Sequence, residues 1–454
     1  VGTAAADEDG LSARAYAQGL LDELGVTPLR PLACTEEDPA LAWARSGLMA
    51  LTGRADGPPV LCPVAIPTCA DGALAALASL APDGALAGLR GAALLVERAA
   101  IAGYTRHGAI APGGGCRLLP TRDGWLALNL ARTDDWSLLP AWLETEVATD
   151  WESLAAAVRT RTLHDAIERG RLLGLAVAPV VPPWRRPQPW FQRMVPGGTG
   201  RKPRGRRPRV VDLSSLWAGP LATHLLQHCG AEVIKVESLT RPDGARGGPP
   251  AFFDLLNAGK HSVALDFGSA RDRARLRTLL EHADIVIEAS RPRALRQLGI
   301  DAEALVRERP HLSWISLTGY GRSEPAAQWI AYGDDAATAA GLVWLMQQTT
   351  GEPLFVGDAI ADPLSGMHAA LAAWAGWCAG GAGLLSIALV DVVRRVVRFA
   401  APPSAAGWRE RAQRWRGRIA GEPVRAPQAR RPTAAARPLG ADTAHVFDAR
   451  GCTC

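Results

Sequence analysis

From Val210 onward, short apolar runs alternate with amphipathic stretches. Val210–Leu213, Glu232–Glu237, Ser262–Leu265, Asp284–Glu288 and Leu312–Leu317 read as strands, and Pro220–Cys229, Ala270–Ala283 and Ala302–Arg309 as helices between them. Strands separated by crossover helices predict an α/β domain built on a Rossmann-like, doubly wound parallel sheet. Ligands of such sheets bind beyond the carboxyl ends of the strands, which here carry Ser214–Pro220, Glu237–Arg246, Ala289–Arg293 and Thr318–Arg322. No GxGxxG follows the first strand, which argues against a nicotinamide dinucleotide.

Upstream the pattern is different. Leu11–Leu24 has helical periodicity and stops at Gly25, Leu41–Leu51 and Ala73–Leu80 read as helices, and Val60–Ile66 reads as a short strand. Arg117–Leu119 and Trp125–Leu130 flank the turn Thr121–Gly124 and predict a hairpin. Helical stretches follow to 178, with Trp136, Leu139, Trp142, Leu154 and Leu163 as core. The expected organisation is a partial copy of the large domain at 1–106, a smaller α+β domain at 107–180 and a linker at 181–209. The large domain follows at 210–400 and a tail at 401–454, whose last thirty or so residues read as extended or disordered. The linker is rich in Pro and Gly and carries nine basic residues, among them Arg185, Arg201, Lys202 and Arg204. With only Trp184, Trp190 and Phe191 interleaved, it reads as solvated linker in preference to a nucleic-acid patch.

Within the large domain, Val356-Gly-Asp-Ala-Ile-Ala-Asp-Pro-Leu-Ser-Gly-Met-His-Ala-Ala-Leu371 turns from loop to helix at Asp362-Pro363. Asp362 falls where an N-cap belongs and Pro363 at the first helical position. A carboxylate there is a cap or a nucleophile, and the helix N-terminus favours its ionised form. The stretch also has an echo 294 residues earlier. Gly47, Pro59, Ala65-Ile66, Gly72 and Ala75-Ala-Leu-Ala78 fall opposite Gly341, Pro353, Ala359-Ile360, Gly366 and Ala369-Ala-Leu-Ala372. Leu20–Gly25 more loosely echoes Leu225–Gly230. Asp362 falls opposite Thr68, which can cap a helix but cannot act as a carboxylate nucleophile.

Composition narrows the classes. A chain of 454 residues that is 48% hydrophobic and 21% charged is a folded globular protein of two or three domains. A net charge of +5 permits an anionic ligand without demanding nucleic acid. The eight cysteines contain no CxxC pair, so the reading is reduced thiols, no metal site and a cytoplasmic protein. No basic segment precedes an apolar core at the start. The Ala/Leu runs are interrupted by Gly, Pro or charge, so neither a signal peptide nor a membrane span is expected.

The ordered stretches Val211–Pro220, Gly230–Glu237, Asn257–Asp266, Ala283–Glu288, Arg291–Leu295, Ser316–Gly321 and Ala361–Gly366 resemble the class III CoA-transferases, the family of formyl-CoA and carnitine CoA-transferases and the related α-methylacyl-CoA racemases. The likeness spans about 210–395, and Arg437-Pro-Leu-Gly440 resembles the family's end. It implies a Rossmann-like large domain with a small domain, usually in an interlocked homodimer. Asp123–Ala127 and Ala176–Pro179 mark the small domain, which here precedes the large one. The arrangement therefore resembles a degenerate first copy fused to a second.

The resemblance makes Asp362 the catalytic aspartate and Gly113, Gly114 and Gly115 a glycine loop over the reactive centre. It places Leu216, Trp217, Ala218, Arg246, Ala289, Ser290, Thr318 and Tyr320 against CoA, with Arg296 near another contact. The implied reaction moves CoA from an acyl-CoA donor to a carboxylic acid acceptor, with CoA as substrate and no bound cofactor, metal, nucleic acid or membrane. Arg246, Arg291, Arg293 and Arg296 are candidates for its phosphates. A racemase would need an acid/base pair, but Ile330–Asp335 holds no His, and His368, just past Asp362, reads as a packing residue. A third reading is a non-catalytic CoA-binding scaffold.

Overall fold

The computed structural model describes residues 10–145, 150–183, 186, 188–198, 206–399 and 401–448. A small antiparallel sheet, β1 (Cys116–Pro120), β2 (Trp125–Asn129) and β3 (Ala176–Pro179), is ordered β1-β2-β3. The large sheet comprises β4 (Gln192–Pro196), β5 (Arg209–Leu213), β6 (Glu232–Ser238), β7 (His261–Leu265), β8 (Ile285–Glu288), β9 (Ser313–Thr318) and β10 (Gly383–Ala388). Its order is β4-β10-β9-β8-β5-β6-β7. Strands β5 to β10 are mutually parallel, and β4 runs antiparallel along β10. The parallel part therefore starts in the middle and winds outward to both sides, which places the topological switch point between β5 and β8. The α/β, doubly wound expectation is borne out, with the smaller α+β unit beside it.

Helices cover the sheet because its strands are apolar on both faces. On one face lie Leu276, Leu279, Val306 and Phe447; on the other the buried helix Ala361–Cys378 packs beside Ala218–His228. The N-terminal helices join this second layer directly. Ala13–Leu24 and Ile66–Leu80 share one core with Leu225, Leu364 and Val392, and Trp374 Nε1 donates to Leu80 O at 3.1 Å. Two helix crossings are alike. A Cβ on Gly72 would lie 2.6 Å from Ala13 O and 3.1 Å from Tyr16 Cβ; one on Gly366 would lie 2.6 Å from Ala218 O and 3.2 Å from Leu221 Cβ. Only glycine lets the backbones come this close.

Four details depart from the sequence reading. Val60–Ile66 forms no strand: Pro63 lacks a donor, and the helix Ile66–Leu80 starts within it. Its apolar pattern reflects burial under Trp43, whose indole donates to Val64 O at 2.7 Å. The 181–209 stretch is not simply solvated linker. It supplies β4, an edge strand that ends at Pro196, and Trp190, which is fully buried against Phe191 and His368. Trp184, Arg185, Arg201, Lys202 and Arg204 lie outside the described residues. Gly383–Ala388, an apolar run that periodicity cannot assign, is the parallel strand β10. The tail forms the helix Ala405–Arg418, runs extended from about 422 to 438, and then forms the helix Thr443–Asp448, which packs on the β7 side with Val446 and Phe447 buried. Among the described residues no helix is long and apolar enough to cross a membrane.

Candidate active site

Asp362 lies inside the first turn of the Ala361–Cys378 helix and does not cap it. The N-cap position is Ile360, no side chain caps this end, and Pro363 is the third helical residue. Being among the first four residues, Pro363 still sacrifices no intrahelical hydrogen bond. Freed from capping, the Asp362 carboxylate faces the Gly333 backbone N–H, at the start of the helix Gly333–Ala339.

Three more carboxylates surround it. Asp334 Oδ1 accepts from Ala359 N at 2.8 Å. Asp335 Oδ1 accepts from Tyr332 N at 3.0 Å and from Asn129 Nδ2, at the end of β2, at 3.1 Å. Asp358 is gripped by Arg98, whose Nε lies 2.7 Å from Oδ2 and whose Nη2 lies 2.5 Å from Oδ1. Asp334, Asp335 and Asp358 are buried, whereas Asp362 keeps contact with solvent. Burial pushes the Asp362 carboxyl up to about 7. Arg98 opposes the rise, Asp358 adds to it, and the Gly333 N–H again opposes it. The helix N-terminus therefore does not keep this group at an ordinary carboxylate value. Burial likewise raises Asp335 to about 7, against the hydrogen bonds from Tyr332 and Asn129. A partly exposed carboxyl that burial raises toward neutrality suits nucleophilic or proton-transfer chemistry.

The glycine loop reaches this cluster. A Cβ on Gly113 would lie 3.3 Å from Arg98 Nη2 and 3.8 Å from Asp358 Oδ1. Gly114 has φ +79° and donates to Ala111 O at 2.7 Å, so the loop folds back before β1. Gly115 lies beside Asn129, with its Cβ position 3.6 Å from Oδ1. The Arg98 guanidinium also sits over the rings of Trp217, at 5.3 Å, and Tyr104, at 5.8 Å.

The residues assigned to CoA split into two groups. Leu216, Ala289, Ser290, Thr318 and Tyr320 follow β5, β8 and β9 and keep some exposure at the switch-point end of the sheet. Leu216 has φ +69°, held by its N–H donating to Asp243 Oδ1 at 2.9 Å, while Lys235 pairs with Asp243 and donates to Ser214 O. Ser290 Oγ donates to Glu288 at 2.7 Å, and Tyr320 packs edge-on to Trp329. Trp217 and Ala218 are buried; Trp217 packs edge-on to Phe252, and Ala218 O abuts Gly366. Arg246 is held by Glu237 at 2.6 Å and stacks on Phe253, and Arg296 pairs with Glu303 at 3.2 Å.

His368 packs as read. It contacts Tyr16 OH at 2.9 Å and Leu364 O at 2.7 Å, and burial lowers it to about 4. Sequence reasoning missed Arg98, Asp334, Asp335 and Asp358 around Asp362, and Asn129 as the partner of Asp335. The available signal for Arg98 was the adjacent charged pair Glu97-Arg98 inside the otherwise apolar run Gly91–Ala102.

Residues 208–416 match CoA-transferase family III, and over that segment the resemblance read from the motifs is borne out. The chain is 33% identical over 181 residues to a succinate–glutarate CoA-transferase of Agrobacterium fabrum, covering 37% of this chain and 45% of that one. It is 33% identical over 175 residues to a succinyl-CoA:glutarate CoA-transferase of Mus musculus, covering 37% and 40%. It is 30% identical over 163 residues to an acetyl-CoA:oxalate CoA-transferase of Acetobacter aceti, covering 35% and 42%. The chain thus spans less than half the length of these relatives.

Proposed function

We propose that this protein transfers CoA from an acyl-CoA to a free carboxylic acid with Asp362 as nucleophile. The observation that carries the reading is the setting of Asp362: a partly exposed carboxylate in the first turn of a helix, next to the Gly333 N–H and the Arg98 guanidinium, with a glycine loop reaching Arg98 and Asp358 beside it. The Asp362 carboxylate attacks the donor thioester carbonyl, forming an acyl–aspartyl anhydride and expelling CoA thiolate. The thiolate attacks the aspartyl carbonyl, giving an aspartyl–CoA thioester and releasing the donor acid. The acceptor carboxylate then attacks that thioester, giving a second anhydride and CoA thiolate. Attack of the thiolate on the new acyl carbonyl yields the product acyl-CoA and restores Asp362.

The loop N–H groups at Gly113–Gly115 would stabilise the oxyanions, and the loop would exclude water that hydrolyses the anhydride. CoA lies at the switch point, over Leu216, Ala289, Ser290, Thr318 and Tyr320. Arg246 and Arg296 already have carboxylate partners, which leaves Arg291 and Arg293 the better candidates for its phosphates. The like notches at Gly72 and Gly366 support reading residues up to 106 as a degenerate copy. Incubation with acyl-CoA followed by hydroxylamine should leave a hydroxamate on Asp362, read by peptide mass spectrometry. Acid exchange without any mark on Asp362 would overturn the covalent route.

A further inference from the structure

We infer that Arg98, contributed by the N-terminal segment, is a positioning residue for Asp362: it fixes Asp358 and presents the counter-charge that favours the anionic nucleophile. This rests on Asp362 being the nucleophile. The charged and titratable groups around Asp362 and its neighbour Asp335 are Arg98 on the helix Glu97–Ala102, Asp358 before the Ala361–Cys378 helix, Asp334 and Asp335 on Gly333–Ala339, Cys116 on β1 behind those two, and Tyr320 and Tyr332 facing Asp335. Of these, Arg98 is the cation.

Its place is held from all sides. Two hydrogen bonds fix it to a buried carboxylate, and Trp217 and Tyr104 lie against its faces. Gly113 leaves room for Nη2 where a Cβ would press on it at 3.3 Å. The bidentate fork fixes direction as well as charge, which an ammonium cannot do. A segment outside the matched residues 208–416 thereby takes part in the reactive centre.

The test is a pH titration of [4-13C]aspartate-labelled full-length protein by NMR, with Asp362→Asn assigning the resonance. In the wild type Asp362 should titrate near 7. Arg98→Gln removes the charge but keeps a donor, and should move the midpoint up by about 1–2 pH units. Arg98→Lys should restore at least half of that shift. Arg98→Gln/Asp358→Asn leaves no unpaired buried charge and guards against misfolding. Its midpoint should lie above that of Asp358→Asn alone, because the two variants differ only in the Arg98 charge. The acid limb of acyl-CoA labelling should follow the NMR midpoint, so labelling near neutral pH falls in Arg98→Gln, recovers in that variant at high pH, and is restored near neutral pH in Arg98→Lys. A midpoint unmoved in Arg98→Gln, and in the double variant relative to Asp358→Asn, would overturn the proposal. Absence of labelling in the wild type would instead remove the nucleophile reading, while the titration still decides what Arg98 does to Asp362.

Discussion

Ile66–Leu80 and Ala361–Cys378 meet their neighbours through the same notch, a glycine seated against a helix carbonyl, yet their first turns face different surroundings. Thr68 is buried and its hydroxyl finds no partner among the described residues. Asp362 touches solvent and faces Arg98, Asp358 and the Gly333 N–H. The packing that holds a helix in this layer is therefore separable from the charge arrangement that makes its first turn reactive. The largest test of that separation is Asp362→Asn. It should lower acid exchange by at least about 10³-fold, as loss of a covalent nucleophile does, and abolish hydroxamate formation. Normal exchange would break the contrast between the two turns.

The notches themselves come next. An added methyl at either glycine meets a backbone carbonyl oxygen at 2.6 Å, and such overpacking costs about 1–3 kcal/mol. Gly72→Ala and Gly366→Ala should therefore lower the thermal midpoint by similar amounts. Only Gly366→Ala, which displaces the helix carrying Asp362, should also slow labelling by acyl-CoA. Clearly unequal midpoints would mean that the two crossings are not equivalent.

Much of this frame was legible in the chain. Val210–Leu213 and Asp284–Glu288 announce themselves as apolar runs between helices, and they bracket the switch point. The Gly72–Gly366 echo marked two positions that turn out to make the same contact. The neighbours of Asp362 were not legible, for physical reasons. Arg98 is 264 residues away from it in sequence, and its role depends on a tertiary contact that no local period encodes. Asp334-Asp335 lies in the Ile330–Asp335 stretch, where the sequence reading turns only on a missing His, and nothing local shows that the structure buries both carboxylates. The capping position assigned to Asp362 failed because the helix begins two residues earlier than that reading, at Ala361. That shift turns a backbone-bonding carboxylate into one that faces a neighbouring helix. The value near 7 follows from burial, which the sequence expectation of an ionised helix-end carboxylate left out.

The smallest effect is expected at Thr68. A buried hydroxyl without a partner is costly, by about 1–3 kcal/mol in the general case. Val has nearly the same shape and helix propensity as Thr, so Thr68→Val exchanges that hydroxyl for a methyl at no steric cost. Stability should rise by about 0.5–1 kcal/mol, read as a higher denaturant midpoint at unchanged slope, while acyl-CoA labelling stays as in the wild type. A fall in stability would show that the hydroxyl is engaged in solution, and a fall in labelling would show that the first turn of Ile66–Leu80 still serves the reactive centre. Either result would erase the distinction between a helix kept for packing and a helix kept for chemistry.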